Sequence, residues 1–311
     1  MKPFGNKIAC IILNYRSSED TIACVTTLRK QLFNDFFVVI VDNSESVFHE
    51  KRLIEGLETK IKGSFLRVAA DNLKRRDDRH DLVLITNAKN RGYSTGNNIG
   101  IRYALNNSAS AILITNPDIR FPENTTISKM VRCLEQVQQA MVIGPRVVDL
   151  EGNDQNPMVE LSFIREMIQP ITDLFGNWLG KTKQDRNVRQ PRDKALEVDK
   201  VSGCCLMIRS SFLRENGLLD ESTFLYCEEP ILAHKVRASG GGVYYYPGTT
   251  VEHHHHTRTV LPFHYRLFIR SRLYYLKIYK KYNNFSLFCI ALSHYSFYIF
   301  KKLKSASRKK Y

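Results

Sequence analysis

No two cysteines in this sequence have the CxxC spacing, and the total of seven is odd. This pattern argues against a zinc ribbon or a disulfide framework and favours reduced thiols in the cytosol. The chain also lacks internal repeats, and its 43% hydrophobic and 25% charged residues are typical of globular proteins rather than disordered or fibrous ones. A length of 311 residues allows one large domain or two small ones. Strand-like sequence begins at Lys7, so we expect no signal peptide.

Acidic residues are missing from positions 262–311, where twelve Lys and Arg residues occur. The formal net charge of the whole chain is +15, so residues 1–261 are nearly neutral. The most apolar part of this tail, 284–300, is interrupted by polar residues and falls short of the roughly 20 apolar residues of a membrane-spanning helix. We expect a helix that lies on an anionic membrane leaflet. The alternatives are an ordinary packed amphipathic helix and a nucleic-acid-binding tail.

Continuous apolar stretches alternate with stretches of helical periodicity in the first two thirds of the chain. The predicted strands are 8–13, 36–41, 82–86, 111–115, 141–148, 201–208 and 242–251. The predicted helices are 20–31, 95–107, 125–138 and 229–238, with a short apolar one around 161–179. Because the strands are apolar throughout, they predict an α/β fold with a mostly parallel central sheet covered by helices on both faces. We expect residues 1–260 to form this body, with 60–80 as a surface excursion and 261–311 as a basic, aromatic helical tail.

Carboxylates follow two of the predicted strands. In open parallel sheets, ligands bind outside the carboxyl ends of the strands. Asp42 could accept hydrogen bonds there from a ribose or a pyrimidine N–H, although Asp-Asn-Ser is also good turn sequence. Asp118, in Asn116-Pro117-Asp118, could hold Mg²⁺ or Mn²⁺, although a proline turn explains the segment equally well.

Three further segments contain residues that could bind a ligand or take part in catalysis, but each is a weaker signal. The segment 90–100 leads into a helix without the GxGxxG pattern, so its glycines either allow close packing or line a diphosphate site. Glu228 and Glu229 begin a helix, where the helix dipole favours acids, but crowding of two carboxylates can also raise one pKa toward that of a general base. The histidines at 253–256 are internal, and one or two of them could bind a metal.

Taken in order, these segments resemble family 2 nucleotide-sugar glycosyltransferases of the GT-A fold, and most closely the rhamnosyltransferase-like branch. The matching stretches are IILNY at 11–15, VIVDNS at 39–44, NRGY at 90–93, GNNIG at 96–100, LITNPD at 113–118, GLLDE at 217–221, FLYCEE at 224–229 and VEH at 251–253. Each stretch is weak alone, but their order across residues 8 to about 275 is specific.

The resemblance implies roles for individual residues. It implies Glu229 as the catalytic base, with Glu228 beside it, and Asp118 and His253 as metal ligands. The nucleotide-sugar contacts it implies are Asn14, Tyr15, Asp42, Asn43, Arg91, Gly92, Asn97 and Asn116. This sequence departs from the family pattern in having Asn116 at the first acid of the DxD motif, Glu rather than Asp as the base, and Ile231 where a further acid is frequent.

The implied function is inverting transfer of a sugar from dTDP-rhamnose or a UDP-sugar to a hydroxyl of a growing, lipid-linked, cell-surface glycan. The implied cofactor is a divalent cation, Mg²⁺ or Mn²⁺. The basic tail would hold the enzyme peripherally on the cytoplasmic face of the membrane, and no nucleic acid is expected as a partner. A nucleotidyltransferase would require a Gly- and Lys-rich loop after the first strand, which 14–18 lacks. A lipid- or nucleic-acid-binding protein without catalysis is the alternative, but its basic patch should span the domain rather than the tail.

Overall fold

The computed structural model describes residues 7–61, 63–73, 80–175, 194–255 and 262–308. Most of the charged part of the predicted surface excursion (74–79), the end of the predicted 161–179 helix and His256 lie outside these residues.

Ten strands of the described chain form one sheet. They are β1 (Ile8–Asn14), β2 (Phe36–Asp42), β3 (Leu66–Ala69), β4 (Leu82–Thr86), β5 (Ala111–Thr115), β6 (Ile119–Arg120), β7 (Ala140–Asp149), β8 (Leu196–Glu197), β9 (Cys205–Arg209) and β10 (Gly242–His253). The spatial order is β3-β4-β2-β1-β5-β9-β7-β10-β6, with β8 paired to β10. The first five strands of this order are mutually parallel, whereas β9 runs antiparallel to both β5 and β7. The predicted mostly parallel sheet is confirmed.

Helices cover both faces of the sheet and form the C-terminal region. They are α1 (Ser18–Leu28), α2 (Val47–Lys60), α3 (Tyr93–Asn106), α4 (Thr126–Gln136), α5 (Phe163–Phe175), α6 (Ser210–Asn216), α7 (Glu228–Ala238), α8 (Pro262–Ile278) and α9 (Asn284–Arg308). Alternate residues of β1 point to opposite sides, so that Cys10 and Ile12 enter one core cluster and Ala9 and Ile11 the other. The continuous apolar strands are thus explained by burial on two faces.

The strand register places several loops at one edge of the sheet. Asn14 at the end of β1 pairs with Asp42 at the end of β2. At the end of β5, Thr115 pairs with Cys205, where β9 begins. The Asn116-Pro117-Asp118 turn and the turn just before Cys205 therefore lie side by side, and the carboxyl ends of the parallel strands open toward them.

The C-terminal helices pack on the body. Arg272 of α8 donates from Nε to Glu166 Oε2 of α5 at 2.9 Å, and both residues are buried. The Tyr274 hydroxyl donates to Asp220 Oδ2 at 3.0 Å, which ties α8 to the loop that precedes α7. Within the described residues, none of the helices is at once long enough and apolar enough to cross a bilayer.

Candidate active site

Asp42 is held in place by three donors that all bond one of its oxygens. The Asn14 amide donates to Oδ1 at 2.7 Å, the Ser44 hydroxyl at 2.5 Å and the Ser44 backbone N–H at 3.2 Å. The second carboxylate oxygen, Oδ2, is thereby left available for a ligand. Asn14 itself is fully buried and supports Asp42, while its direct contact with a nucleotide stays a prediction.

Tyr15 lies beside this carboxylate, with 49% of its surface exposed. The Arg16 guanidinium lies over the Tyr15 ring, 5.2 Å from the ring centroid. The backbone of Arg16 is left-handed (φ 52°), and its N–H donates to Ser44 Oγ at 2.9 Å. Left-handed backbone is costly for a non-glycine residue. The bond to Ser44 therefore helps stabilise the loop conformation that presents the Tyr15 ring and the Arg16 guanidinium.

The Asn90–Tyr93 segment packs against the loop that leads to the two glutamates. The Asn43 amide donates to Asn90 Oδ1 at 2.8 Å. Gly92 has φ 105°, and a Cβ there would lie 2.2 Å from the Phe224 carbonyl oxygen. Arg91 is exposed, so its guanidinium is free to reach a ligand. Two residues later, the Tyr93 N–H donates to Phe224 O at 2.8 Å.

Asn97 lies one turn into α3, and its side chain is fully buried. Its amide donates to the Tyr93 carbonyl oxygen at 3.1 Å. Because Tyr93 is the first residue of α3, this bond lies within the first turn of the helix. The predicted contact of Asn97 with a nucleotide sugar stays a prediction.

The tight turn at Gly203-Cys204 links Glu229 to the Asn116–Asp118 turn. The Gly203 N–H donates to Glu229 Oε1 at 3.2 Å, and the Asn116 N–H donates to the Cys204 carbonyl at 2.8 Å. The Tyr93 hydroxyl donates to the Gly203 carbonyl at 2.8 Å and fixes the same turn from the other side. Burial raises the pKa of the Cys204 thiol to about 12, and the charges of Asp118 and Glu229 both add to the rise. Residues far apart in sequence thus converge at one edge of the sheet.

Glu228 differs from Glu229 in its surroundings. Burial, followed by the charge of Glu229, raises the pKa of Glu228 to about 8, so it is mostly protonated at neutral pH. One of its oxygens is buried without a hydrogen-bond partner, and the side chain lines a small cavity with Ser94 and Lys235. Tyr226 and Cys227, immediately before it, both have left-handed backbone (φ 75° and 68°). Such strain is typical of functional loops.

Asp118, His253 and His255 form a group whose ligand atoms all lie within 4.8 Å of one another. Asp118 Oδ1 lies 3.3 Å from His253 Nε2, and Asp118 Oδ2 lies 3.5 Å from His255 Nδ1. Burial alone would raise the pKa of Asp118, but the neighbouring imidazoles outweigh it and the pKa lies below its usual value. Asp118 Oδ1 and His253 Nε2 are buried and lack a hydrogen-bond partner, so these residues fit a divalent cation.

Sequence reasoning assigned Asp118 and His253 as metal ligands and included His255 only among the histidines of which one or two could bind a metal. It did not indicate Gln155, whose Oε1 lies 2.8 Å from His253 Nδ1. The alternation of histidines after β10 was the available signal for His255, since residues two apart in extended chain point the same way. Gln155 lies in a loop without periodicity and had no signal. Sequence reasoning likewise did not link Gly203 to Glu229 or Tyr93 to Gly203, because both contacts join residues far apart in sequence.

The fold is that of GT-A glycosyltransferases, as comparison with solved structures shows. The chain superposes on the crystal structure of GalNAc-T7 with UDP, GalNAc and Mn²⁺ with a TM-score of 0.58 at 13% identity, covering 88% of this chain and 48% of that one. It also superposes on S. aureus TarS 1-349 in complex with UDP, with a TM-score of 0.53 at 14% identity, covering 88% of this chain and 66% of that one.

Residues 9–216 match the family model described as glycosyl transferase family 2. The chain therefore belongs to glycosyl transferase family 2, and the enzyme class expected from its sequence is confirmed at the level of the family. Glu228, Glu229 and His253 lie beyond the matched residues, so their assignment depends on the geometry above.

A curated relative is the low-salt glycan biosynthesis hexosyltransferase Agl10 of Haloferax volcanii, 27% identical over 233 residues, or 74% of this chain. The chain spans 61% of the length of that relative.

Proposed function

We propose that this protein transfers a sugar from a nucleoside diphosphate donor to a hydroxyl of a glycan acceptor, with inversion at the anomeric carbon. The observation that carries the proposal is the convergence of Asp42, Asp118 and Glu229 at one edge of the sheet. The Gly203-Cys204 turn joins Glu229 to the Asn116–Asp118 turn, and the parallel register of β2, β1 and β5 brings Asp42 to the same edge. An acid that recognises the nucleotide base, an acid that binds a cation and a general base would together suit this reaction.

Donor binding would begin at Asp42. Its free Oδ2 would accept the imide N–H of a uracil or thymine, while the exposed ring of Tyr15 would stack on the base. Arg91 is exposed and would contact the diphosphate. Asn43, Gly92 and Asn116 line the same edge and would contact the donor by close backbone approach or amide hydrogen bonds.

Asp118 and His253 would hold a divalent cation, which when bound neutralises the negative charge that builds up on the departing diphosphate. Glu229 would accept the proton of the acceptor hydroxyl. The new C–O bond would form on the face of the anomeric carbon opposite the breaking bond to the diphosphate oxygen, so that the configuration inverts. The Gly203 N–H and the strained turn before α7 would keep the Glu229 carboxylate oriented. Glu228, protonated beside it, would add no second negative charge.

For the donor we propose dTDP-rhamnose or a UDP-sugar. Both nucleotides carry an imide N–H that suits Asp42, and GalNAc-T7 and TarS, which share the fold, were crystallised with UDP. For the acceptor we propose a growing, lipid-linked cell-surface glycan, in keeping with the glycan-building hexosyltransferase relative.

The surface of α9 supports the proposal that the protein binds peripherally to the cytoplasmic face of the membrane. Its exposed large apolar residues are spaced three or four apart along one side of the helix, and they include Phe285, Phe288, Leu292, Tyr295 and Ile299. The opposite side packs inward through Ile290, His294 and Phe297. Lysines at 280, 281 and 302 flank the exposed stripe, as expected for binding to anionic lipid, whereas the Lys301 ammonium lies over the inward-facing Phe297 ring.

Vesicle sedimentation of the full chain tests this surface. We expect binding to anionic vesicles and weaker binding to neutral ones. Leu292→Glu should release the protein, because it places a charge in the middle of the stripe. Leu32→Glu is the matched control, since Leu32 on the body is 64% exposed and Leu292 is 58% exposed. Equal binding of both variants would contradict membrane contact through α9.

A thermal-shift panel of nucleotide sugars, with and without Mn²⁺, tests the catalytic proposal. A bound donor raises the apparent melting temperature in proportion to the logarithm of its concentration over Kd. We expect a UDP- or dTDP-sugar to give the largest rise and Asp42→Asn to reduce it. If no nucleotide sugar stabilises the protein in the presence of Mn²⁺, the proposal is wrong.

A further inference from the structure

The Asp118 carboxylate has an imidazole on each of its two oxygens. His253 Nε2 approaches Oδ1 to 3.3 Å and His255 Nδ1 approaches Oδ2 to 3.5 Å, while the two rings are 5.4 Å apart and tilted by 34°. The backbone supports this arrangement, because the His254 N–H donates to the Asp118 carbonyl at 2.8 Å. The strand end that carries both histidines is thus tied directly to the turn that carries the carboxylate.

Gln155 determines which nitrogen of His253 is free. Its amide oxygen lies 2.8 Å from His253 Nδ1 and accepts from the tautomer that carries its hydrogen at Nδ1, which presents a lone pair at Nε2. That lone pair faces Asp118 Oδ1, and both atoms are buried without a hydrogen-bond partner. Two acceptors 3.3 Å apart repel each other unless a cation or a proton lies between them. The choice of cation follows from the donor atoms.

We propose that His255 is a third protein ligand, that Gln155 orients His253 toward the metal, and that the resulting site of two imidazoles and one carboxylate binds transition-metal ions in preference to Mg²⁺. Mg²⁺ prefers oxygen ligands, whereas imidazole suits Zn²⁺, and the affinity of a site for first-row divalent ions rises from Mn²⁺ to Co²⁺. Asn116 stands where a second acid would provide another anionic oxygen, so nitrogen ligands are the majority here. The proposal deepens the proposed function at the same site, and it is tested by metal binding alone, without sugar transfer.

Calorimetric titration of the chelator-treated full chain with Mg²⁺, Mn²⁺, Co²⁺ and Zn²⁺ measures this preference. We expect Mg²⁺ to bind at least tenfold more weakly than Mn²⁺, and Co²⁺ and Zn²⁺ to bind more tightly than Mn²⁺. The visible absorption of bound Co²⁺ gives a second readout, since its bands change in position and intensity when imidazole nitrogens replace water. Equal affinity for Mg²⁺ and Co²⁺, or no uptake of any of these ions at millimolar concentration, would overturn the proposal. The second result would mean that His253 and Asp118 only contact each other directly.

Three variants assign the ligands. His255→Ala should weaken Co²⁺ binding at least tenfold and alter its spectrum, and because His255 is exposed the fold should be unaffected. His254→Ala is the matched control, since that imidazole pairs with Glu252 at 3.0 Å and should leave both readouts unchanged. Gln155→Leu should weaken Co²⁺ binding roughly 10- to 100-fold.

Gln155→Glu serves as the conservative counterpart of the leucine variant. It retains the acceptor for Nδ1–H and should restore most of the affinity for Co²⁺. The melting temperature of each metal-free variant checks its folding. If His254→Ala and His255→Ala behave alike, or Gln155→Leu binds Co²⁺ as wild type does, the assignment is wrong.

Discussion

Gly203→Ala is the change that tests most finely how Glu229, the proposed base, is held. The new Cβ would lie 3.0 Å from Glu229 Oε1 and 3.4 Å from Cδ and Cγ of the same side chain. The backbone of Gly203 is not left-handed, so alanine brings no strain of its own. The perturbation is therefore confined to the Glu229 carboxylate, which must move by a few tenths of an ångström and lengthen its bond from the Gly203 N–H.

The size of the effect follows from that bond and that displacement. A hydrogen bond to a charged group contributes about 1.5–3 kcal/mol, which corresponds to roughly 10- to 100-fold in rate if it is lost entirely. A misplacement of about 1 Å costs roughly 100-fold. Because the expected shift is smaller than 1 Å, we expect kcat to fall about tenfold, with little change in the KM for the donor.

The assay is steady-state transfer from the donor identified by the thermal-shift panel, together with the melting temperature of each variant. Gly56→Ala is the control for crowding away from the site, because its Cβ would lie 2.2 Å from Cδ1 of the buried Ile22, between α1 and α2. The melting temperature of Gly203→Ala should stay within about 4 °C of wild type, as expected for a cost below about 1 kcal/mol. Wild-type kcat in Gly203→Ala would refute the view that this turn positions Glu229.

Two further predictions concern stability. Since burial and the charge of Glu229 raise the pKa of Glu228 to about 8, the folded state retains a proton that the unfolded chain loses near pH 4.5, and stability should fall as pH rises from about 4.5 to about 8. Glu228→Gln has no such proton to lose, so the melting temperature of the variant minus that of wild type should rise between pH 5 and pH 8. A difference that stays constant with pH would contradict the raised pKa of Glu228. Gly92→Ala should lower the free energy of unfolding by more than about 1 kcal/mol, measured by urea denaturation, because its Cβ would overlap the Phe224 carbonyl at 2.2 Å and its φ is 105°. An unchanged urea midpoint for Gly92→Ala would mean that the 90–93 segment does not pack on the Phe224 loop as described.

The part of the fold with strong periodicity was predictable from the sequence. β1, β2, β4 and β5 occur where continuous apolar stretches predicted them, and Asp42 and Asp118 follow directly from strand ends in a parallel sheet. The α2 helix was not predicted, because only Leu53 and Leu57 of its fourteen residues are buried and its polar remainder resembles a loop. Strand β3 was hidden in the same polar region, since its residues are only half-buried at the sheet edge.

The finer parts of the site depend on contacts that local patterns do not encode. Gln155 meets His253 across 98 residues of chain, and Tyr93 meets Gly203 across 110. Propensity and periodicity report on neighbours within one or two turns of helix or strand, so they contain no information about such pairs. Resemblance to a family supplied Glu229, but the turn that holds it was visible only once the antiparallel strand β9 was placed beside β5.

The most direct test of the central claim, that Glu229 is the general base of a sugar transfer, is the turnover of Glu229→Gln with its own donor and acceptor. General-base catalysis contributes about 10²- to 10⁴-fold, so kcat should fall by at least 100-fold. Stabilisation by the donor in the thermal-shift assay should be unchanged, because the glutamine retains the shape of the side chain. Turnover of Glu229→Gln at the wild-type rate would contradict the account.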